Sequence, residues 1–300
     1  MYIFSVFGHI LSCLCKFKIG DFRMSAFTFA VIGGDCRSFF AAKRLREYGF
    51  QTKLFGLKNE KTYRPSEDIE ADAILLPIPL SRDGIRLFAP ESREDILISD
   101  VLASVSENAL IFAGGVSRIE DKRITDYAKR EDFALMNAVP TAEGALLLAL
   151  QNGKATVCGM SVAVIGFGKV ACAVARLFSA AGAEVTVFAR KERARADAHI
   201  LGYTAKPISA LAECAEVYSL IVNTVPARIF DKNILSRIRK DALLMELASA
   251  PFGLNFEEAE ALGVRTLLAS GLPGKYFPET AGYAVAETVL NVLREKEILF

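Results

Sequence analysis

The chain has 300 residues, 52% of them hydrophobic, with 36 Lys+Arg against 35 Asp+Glu and a formal net charge of +1. That length suits two ordinary domains with full apolar cores, and the balanced charge argues against a nucleic-acid or strongly acidic partner. Six cysteines without a C-x-x-C pair, and only two histidines, His9 and His199, give no metal-ligand pattern.

In chain order, residues 1–23 differ from the rest of the sequence. Tyr2 to Cys15 is apolar but too short for a membrane helix, and it lacks the basic start and cleavage pattern of a signal peptide. It reads as a loosely ordered extension, with a membrane-peripheral anchor as the alternative. Residues 24–140 read as a first Rossmann-like domain, suited to substrate. Phe27–Ile32 is a strand ending in Gly33-Gly34-Asp35, followed by a helix to Tyr48 and the strand Phe50–Phe55. Ala73–Ile78 reads as a buried strand and Ser81–Arg93 as a charged loop. Asp100–Ser106 reads as a short helix and Ala109–Ala113 as a strand ending in Gly114-Gly115. Ile119–Arg130 reads as a helix, and Phe133–Val139 as a strand carrying Asn137. Cys36, Cys158 and Cys172 fall in or beside apolar segments and read as buried thiols of a reducing cytosol.

Residues 141–279 read as the nucleotide-binding domain, entered by a crossing helix over 141–152 with Glu143 in its first turn. The stretch 161–190 carries the strongest signal. Val162–Ile165 runs into Gly166-Phe167-Gly168-Lys169-Val170-Ala171, then a helix with Val170, Val174, Leu177, Phe178 and Ala181 on one face, then Gly182 and the strand Glu184–Ala189. This is the G-x-G-x-x-A spacing of a dinucleotide unit in its strand–turn–helix–strand setting. Gly166 permits the tight turn, Gly168 lets a pyrophosphate approach the backbone, and Ala171 lets helix and strand pack closely. The helix N-terminus, reached through Phe167, Lys169 and Val170, presents free N–H groups to the phosphates. Ala30-Val31-Ile32-Gly33 repeats Ala163-Val164-Ile165-Gly166, but Asp35 stands where Gly168 stands. A carboxylate there would repel phosphate, so the first half should not bind a dinucleotide. Asp35 reads as a cap on its own helix, with a substrate contact as the alternative.

The second strand of the unit ends in Arg190-Lys191 rather than in Asp or Glu. Arginine suits a ribose 2′-phosphate, so NADP is favoured over NAD, with an ordinary basic helix start as the bland alternative. Strands over Ser219–Val222, Ala242–Leu247 and Arg265–Leu268 come next. The turn Asn223-Thr224-Val225-Pro226 should lie beside the nicotinamide ribose. The loop Ser270-Gly271-Leu272-Pro273-Gly274-Lys275-Tyr276 reads as a substrate contact. Thr280–Glu295 is an amphipathic helix in a C-terminal segment, 280–300, expected to pack back on the first domain. The fold class is therefore α/β, with two Rossmann-like doubly wound parallel-sheet domains separated by a cleft.

The motifs AVIGGD, NAVPTAEGALLLAL, VIGFGKVA and ASGLPGKYFPETAG together resemble the A subunit of dipicolinate synthase from spore-forming Firmicutes. The resemblance spans about residues 26–298. The second half is also similar to the NAD-binding domain of D-2-hydroxyacid dehydrogenases and of adenosylhomocysteinase. Two departures stand out: Glu246 where Asp is common, and Phe252 where Gly is expected. The resemblance implies nicotinamide-dependent oxidation of a dihydro- or tetrahydrodipicolinate intermediate of the lysine-pathway branch to pyridine-2,6-dicarboxylate, during sporulation. It also implies the dipicolinate synthase B subunit as partner, homo- and hetero-oligomers, and a cytoplasmic setting in the mother cell. Another NADP-dependent dehydrogenase of this architecture, or a nucleotide-binding scaffold for a catalytic partner, are the alternatives.

The D-2-hydroxyacid dehydrogenase chemistry needs a histidine, and none falls at the end of the second sheet. Lys275 is the first candidate for holding a carboxylate or moving a proton. Glu143 is a candidate proton-transfer carboxylate, or simply an acid at a helix start. Asn137, Thr141, Ser270, Gly271, Gly114 and Gly115 are candidate substrate contacts at strand ends. Arg82 and Arg86 on the charged loop could guide a dianion, although a solvated face is the plainer reading.

Overall fold

The computed structural model describes residues 27–58, 69–117, 119 and 121–299. The extension 1–23 lies outside these residues. The first half runs β1 (Thr28–Ile32), α1 (Cys36–Glu47), β2 (Gln51–Phe55), β3 (Ala73–Leu75), α2 (Ile98–Ser104), β4 (Leu110–Ala113) and β5 (Ile124–Asp126). Its strands form a parallel sheet in the order β2-β1-β3-β4-β5. The central strands read as apolar runs because both of their faces are covered: Phe29, Val31 and Leu75 face one core, and Ala30, Ile32 and Ile74 the other.

Then come α3 (Glu131–Asn152), β6 (Ser161–Ile165), α4 (Lys169–Ala180), β7 (Glu184–Phe188), α5 (Glu192–Ile200), β8 (Thr204–Lys206), α6 (Leu211–Cys214), β9 (Leu220–Asn223), α7 (Lys232–Arg237), β10 (Leu243–Glu246), α8 (Phe256–Ala261), β11 (Arg265–Leu268), α9 (Leu272–Tyr276) and α10 (Pro278–Glu295). The second sheet is parallel in the order β11-β10-β9-β6-β7-β8. Its direction of winding reverses between β6 and β9, which is where an open α/β sheet takes its ligand. Ala171, Val174, Ala175 and Phe178 of α4 are buried against it.

Three local expectations are corrected and one strand is added. The segment Phe133–Val139 is not a strand. It belongs to α3, which begins at Glu131 and runs through Pro140 without a break. Short apolar runs do not distinguish strand from helix, and a proline within one looks like a boundary. Within the helix Thr141 Oγ1 donates to the Asn137 carbonyl at 2.7 Å. Ile119–Arg130 is not a helix either. Tyr127 is drawn into the core, where its hydroxyl donates to the Leu76 carbonyl at 3.2 Å, and Asp126 ends β5 by accepting the Gly115 and Val116 N–H groups. The edge strand β8 is an addition, since three residues carry too little pattern to detect. Cys36 and Cys158 are exposed and Cys172 half-buried, rather than buried.

The helix α10 returns to the first half. Ala284, Val285, Ala286, Val289, Leu290, Val292 and Leu293 join the core formed by β1 and α1. It approaches α1 closely at Gly282, where a Cβ would lie 2.7 Å from Phe40 Cβ. Arg44 pairs with Glu287 at 2.8 Å across the same contact. The helix α3 serves both halves: Phe133 lies in the first core, and Ala142, Ala145, Leu148 and Ala149 in the second.

Candidate functional site

The turn after β6 is built by Gly166, at φ +99°. Its N–H donates to the Phe188 carbonyl at 2.8 Å. A Cβ at this position would come within 2.6 Å of Thr224 Oγ1 and 3.0 Å of Val225 Cγ2. Thr224 in turn donates from Oγ1 and N to the Ile165 carbonyl, at 2.8 Å and 3.1 Å. The turns after β6 and β9, two separate signals in the sequence, are thus packed together at the reversal point. Gly168 is the N-cap of α4, and a Cβ there would meet nothing within 4 Å. Open space beside a helix N-terminus is what a bound pyrophosphate requires, so these residues fit a dinucleotide. Phe167 packs edge-on against Tyr203. Val170 is half-buried, and Lys169 Nζ lies 3.2 Å from Glu131 Oε1, joining this turn to α3. Pro226 closes the β9 turn and is exposed.

At the end of β7 the basic run divides by its partners. Arg193 pairs with Asp197 and Arg195 with Glu192. Arg195 also donates to the carbonyls of Ala189 and Arg190, at 3.0 Å and 2.8 Å, and so fixes the backbone there. Arg190 and Lys191 are exposed, and among the described residues neither side chain has an ion-pair partner.

Sequence reasoning marks Glu246 only as a departure and misses its role. Its carboxylate is fully buried at the end of β10. It accepts Asn223 Nδ2 at both oxygens, at 2.8 Å and 2.9 Å, the Ala248 N–H at 2.9 Å and the Gly253 N–H at 2.8 Å. Burial pushes the carboxyl up, and the donors oppose this. The network ties the β9 turn to the loop after β10. The available signal was a pair of polar residues, Asn223 and Glu246, ending neighbouring apolar strands.

The remaining candidates fall in different places. Glu143 is exposed and sits in the middle of α3 rather than in a first turn, so a helix-start role is overturned. Asn137 lies on the same helix and not at a strand end. Gly114 is buried, and a Cβ there would meet Ile78 Cβ and the Tyr127 ring at 2.5–2.8 Å, so tight packing explains this glycine. Gly115 is held by Asp126. Gly271 (φ +66°) starts α9, and exposed Ser270 precedes it. Leu272 is buried against Gly144 of α3. Gly274 lies against Arg37, whose Nε would be 2.7 Å from a Cβ. Arg37 is bidentate on Asp35, the N-cap of α1, and also donates to the Ile78 carbonyl. Lys275 is exposed, with Nζ 5.2 Å from the Tyr276 ring centroid.

A nucleotide-type sheet joined to a second α/β sheet, with a glycine turn at the winding reversal, defines a two-domain oxidoreductase of the nicotinamide-dependent kind. Comparison with known proteins narrows the class. Residues 28–138 match the N-terminal domain of the dipicolinate synthase A subunit, and 143–252 the NAD-binding domain of D-isomer specific 2-hydroxyacid dehydrogenases. The A subunit of dipicolinate synthase from Bacillus subtilis (strain 168) is 31% identical over 285 residues, covering 89% of this chain and 95% of that protein. Two crystal structures are similar over nearly their full lengths. The dipicolinate synthase A subunit from Bacillus halodurans has a TM-score of 0.81 at 29% identity, covering 90% of this chain and 98% of that one. Its counterpart from Bacillus subtilis has a TM-score of 0.80 at 29% identity, covering 91% and 98%. The chain belongs to the family of dipicolinate synthase A subunits.

Proposed function

We propose that the chain oxidises a dihydrodipicolinate intermediate, or the hydroxylated tetrahydrodipicolinate form once it has lost water, to pyridine-2,6-dicarboxylate, with one hydride passing to NADP and one proton released. It would do so in the mother cell of a sporulating bacterium and together with the B subunit of the synthase. The observation that carries this reading is the open face at Gly168 beside the Thr224–Val225 turn, in a chain of this family. Gly166, Phe167, Gly168, Lys169 and Val170 would hold the pyrophosphate. Thr224, Val225 and Pro226 would lie along the ribose nearest the ring. Arg190 and Lys191 carry charge that no carboxylate among the described residues neutralises, which supports a 2′-phosphate over a 2′-hydroxyl. When bound, the nicotinamide supplies a two-electron acceptor, and the protein supplies position, charge and proton handling.

Lys275 and Glu143 are the side chains proposed to hold a carboxylate or carry a proton. Asn137, Ser270, Gly271 and Gly115 remain proposed substrate contacts. The Thr141 hydroxyl spends its proton on Asn137, so toward substrate it would act only as an acceptor. Gly114 is better explained by packing. Of the two histidines, His199 lies exposed on α5 and His9 falls outside the described residues, so the proposal assigns acid–base chemistry to Lys275 and Glu143.

The test is the purified chain with the hydroxylated tetrahydrodipicolinate intermediate and NADP⁺. Growth of pyridine absorbance together with NADPH supports the reading. Absence of both, with and without the B subunit, overturns it. Arg190→Ala should weaken NADPH binding about tenfold more than NADH binding, the loss of one charge-assisted contact. An unchanged preference would remove Arg190 from the coenzyme site.

A further inference from the structure

We infer that Arg82 and Lys275 are paired anchors for the two carboxylates of the substrate, one from each half of the chain. This rests on the proposed reading that the substrate is a ring dicarboxylate. Neither cation is neutralised by an ion pair among the described residues. Around the carboxyl ends of the first sheet three arginines are already neutralised. Arg37 is bidentate on Asp35. Arg86 lies 3.3 Å from Asp95 and 3.9 Å from Asp83. Arg123 pairs with Asp121. Among the described residues Arg82 has no acidic partner, although Asp83 is its neighbour in sequence.

Arg82 is exposed, and its side chain rests on an aromatic ring. Its guanidinium carbon stacks 4.7 Å from the centroid of the Phe88 ring. A turn holds its backbone: Gly84 N–H donates to Ser81 Oγ, and the Ile85 and Arg86 N–H groups both donate to Asp83 Oδ1 at 2.8 Å. Asp83 is thereby turned inward to the turn and is not offered to Arg82. The loop closes over the sheet. Phe88 N–H donates to the Leu80 carbonyl, Leu80 N–H to the Gly114 carbonyl, and Gly34 N–H to the Phe88 carbonyl at 2.7 Å. An arginine without a carboxylate, resting on an aromatic face at the carboxyl end of a parallel sheet, is arranged to receive an anion.

Lys275 repeats the pattern from the other half. It has no acidic partner among the described residues and lies over Tyr276. One chain of contacts links the segments that carry them. Gly274 rests on Arg37, Arg37 holds Asp35, and Gly34, next along the chain, bonds to Phe88 beneath Arg82. The anchoring groups thus come from the loop after β3 and from the short helix α9 that follows β11. A substrate with two carboxylates would bridge the halves, and one with a single carboxylate would not.

The experiment is calorimetric titration of the full chain, in the presence of NADP⁺, with pyridine-2,6-dicarboxylate and with pyridine-2-carboxylate. The wild type should prefer the dicarboxylate. Arg82→Ala and Lys275→Ala should each weaken dicarboxylate binding by about 10- to 100-fold, the loss of one charge-assisted pair. Monocarboxylate binding should change by less than about threefold, and Arg82→Lys should recover part of the loss. Arg86→Ala, at a cation already neutralised, should leave both titrations unchanged. If the wild type prefers the dicarboxylate but Arg82→Ala binds both ligands normally, the anchor assignment is wrong while the substrate class stands. If the wild type binds neither ligand, the substrate class itself fails and the anchors with it.

Discussion

Two glycines two positions apart do different work. Gly166 has a positive φ and no room for a side chain, so Gly166→Ala should cost about 2–4 kcal/mol of stability from backbone strain and overpacking against Thr224. Gly168 has an ordinary φ of −88° and open space. Gly168→Ala should leave the melting temperature nearly unchanged while weakening coenzyme binding. Thermal denaturation and coenzyme titration of the pair separate a folding glycine from a binding glycine. The Phe252 departure obeys the same logic. Its φ is +54°, in the left-handed region that favours glycine. That conformation costs about 1–2 kcal/mol, and the edge-on contact with Phe256 returns about 0.5–1.5 kcal/mol, so the two nearly cancel. Asp83 sets a pH dependence. Backbone N–H groups of Arg86 and Ile85 hold its carboxyl down to about 2. A depressed acid stabilises the fold above its unfolded value and loses that contribution as pH falls toward the folded one. Order in the 81–86 turn should therefore fade between about pH 4 and pH 2, and Asp83→Asn should abolish that pH-dependent step in an NMR titration.

At the scale of elements, close approach between helices decides the joint. The α1–α10 contact depends on Gly282, and an added methyl there would press on backbone atoms of α1. Gly282→Ala should cost about 1–3 kcal/mol, read by denaturant unfolding, because backbone cannot yield as a flexible side chain can. Glu246 is the polar counterpart. Glu246→Gln would turn an amide N–H toward Asn223 Nδ2 or a backbone N–H. It should cost about 1–3 kcal/mol and loosen the 248–253 loop. Both features were partly legible. The helical period of α10 and the apolar run of β10 could be read from sequence. That Gly282 is a contact point and Glu246 a loop tether could not, since each depends on a partner far away in the chain.

The whole molecule is not two consecutive beads. The first half, read from sequence as 24–140, takes seven apolar side chains of its core from α10. At about 1.5–3 kcal/mol for each of the five larger ones, Val285, Val289, Leu290, Val292 and Leu293, that contribution matches the entire stability of a typical domain, about 5–15 kcal/mol. A fragment ending at residue 140 should therefore fail to fold alone. Adding a peptide covering 278–299 should restore helical circular dichroism and a cooperative melt. If the fragment folds without that peptide, the account of α10 as part of the first core is wrong.

The sequence alone determined most of the strands, the order of glycine turn and helix, and the basic end of β7. Apolar periodicity and glycine spacing are local properties that survive without partners. It also carried the family, since the motif residues are contiguous. Only the tertiary structure decided that Asn137 and Glu143 lie on one long helix, that Gly114 is a packing glycine, and that Arg82 stays unpaired among the described residues while Arg86 does not. Those facts depend on which distant groups meet, and the meeting is set by the packing of the whole chain.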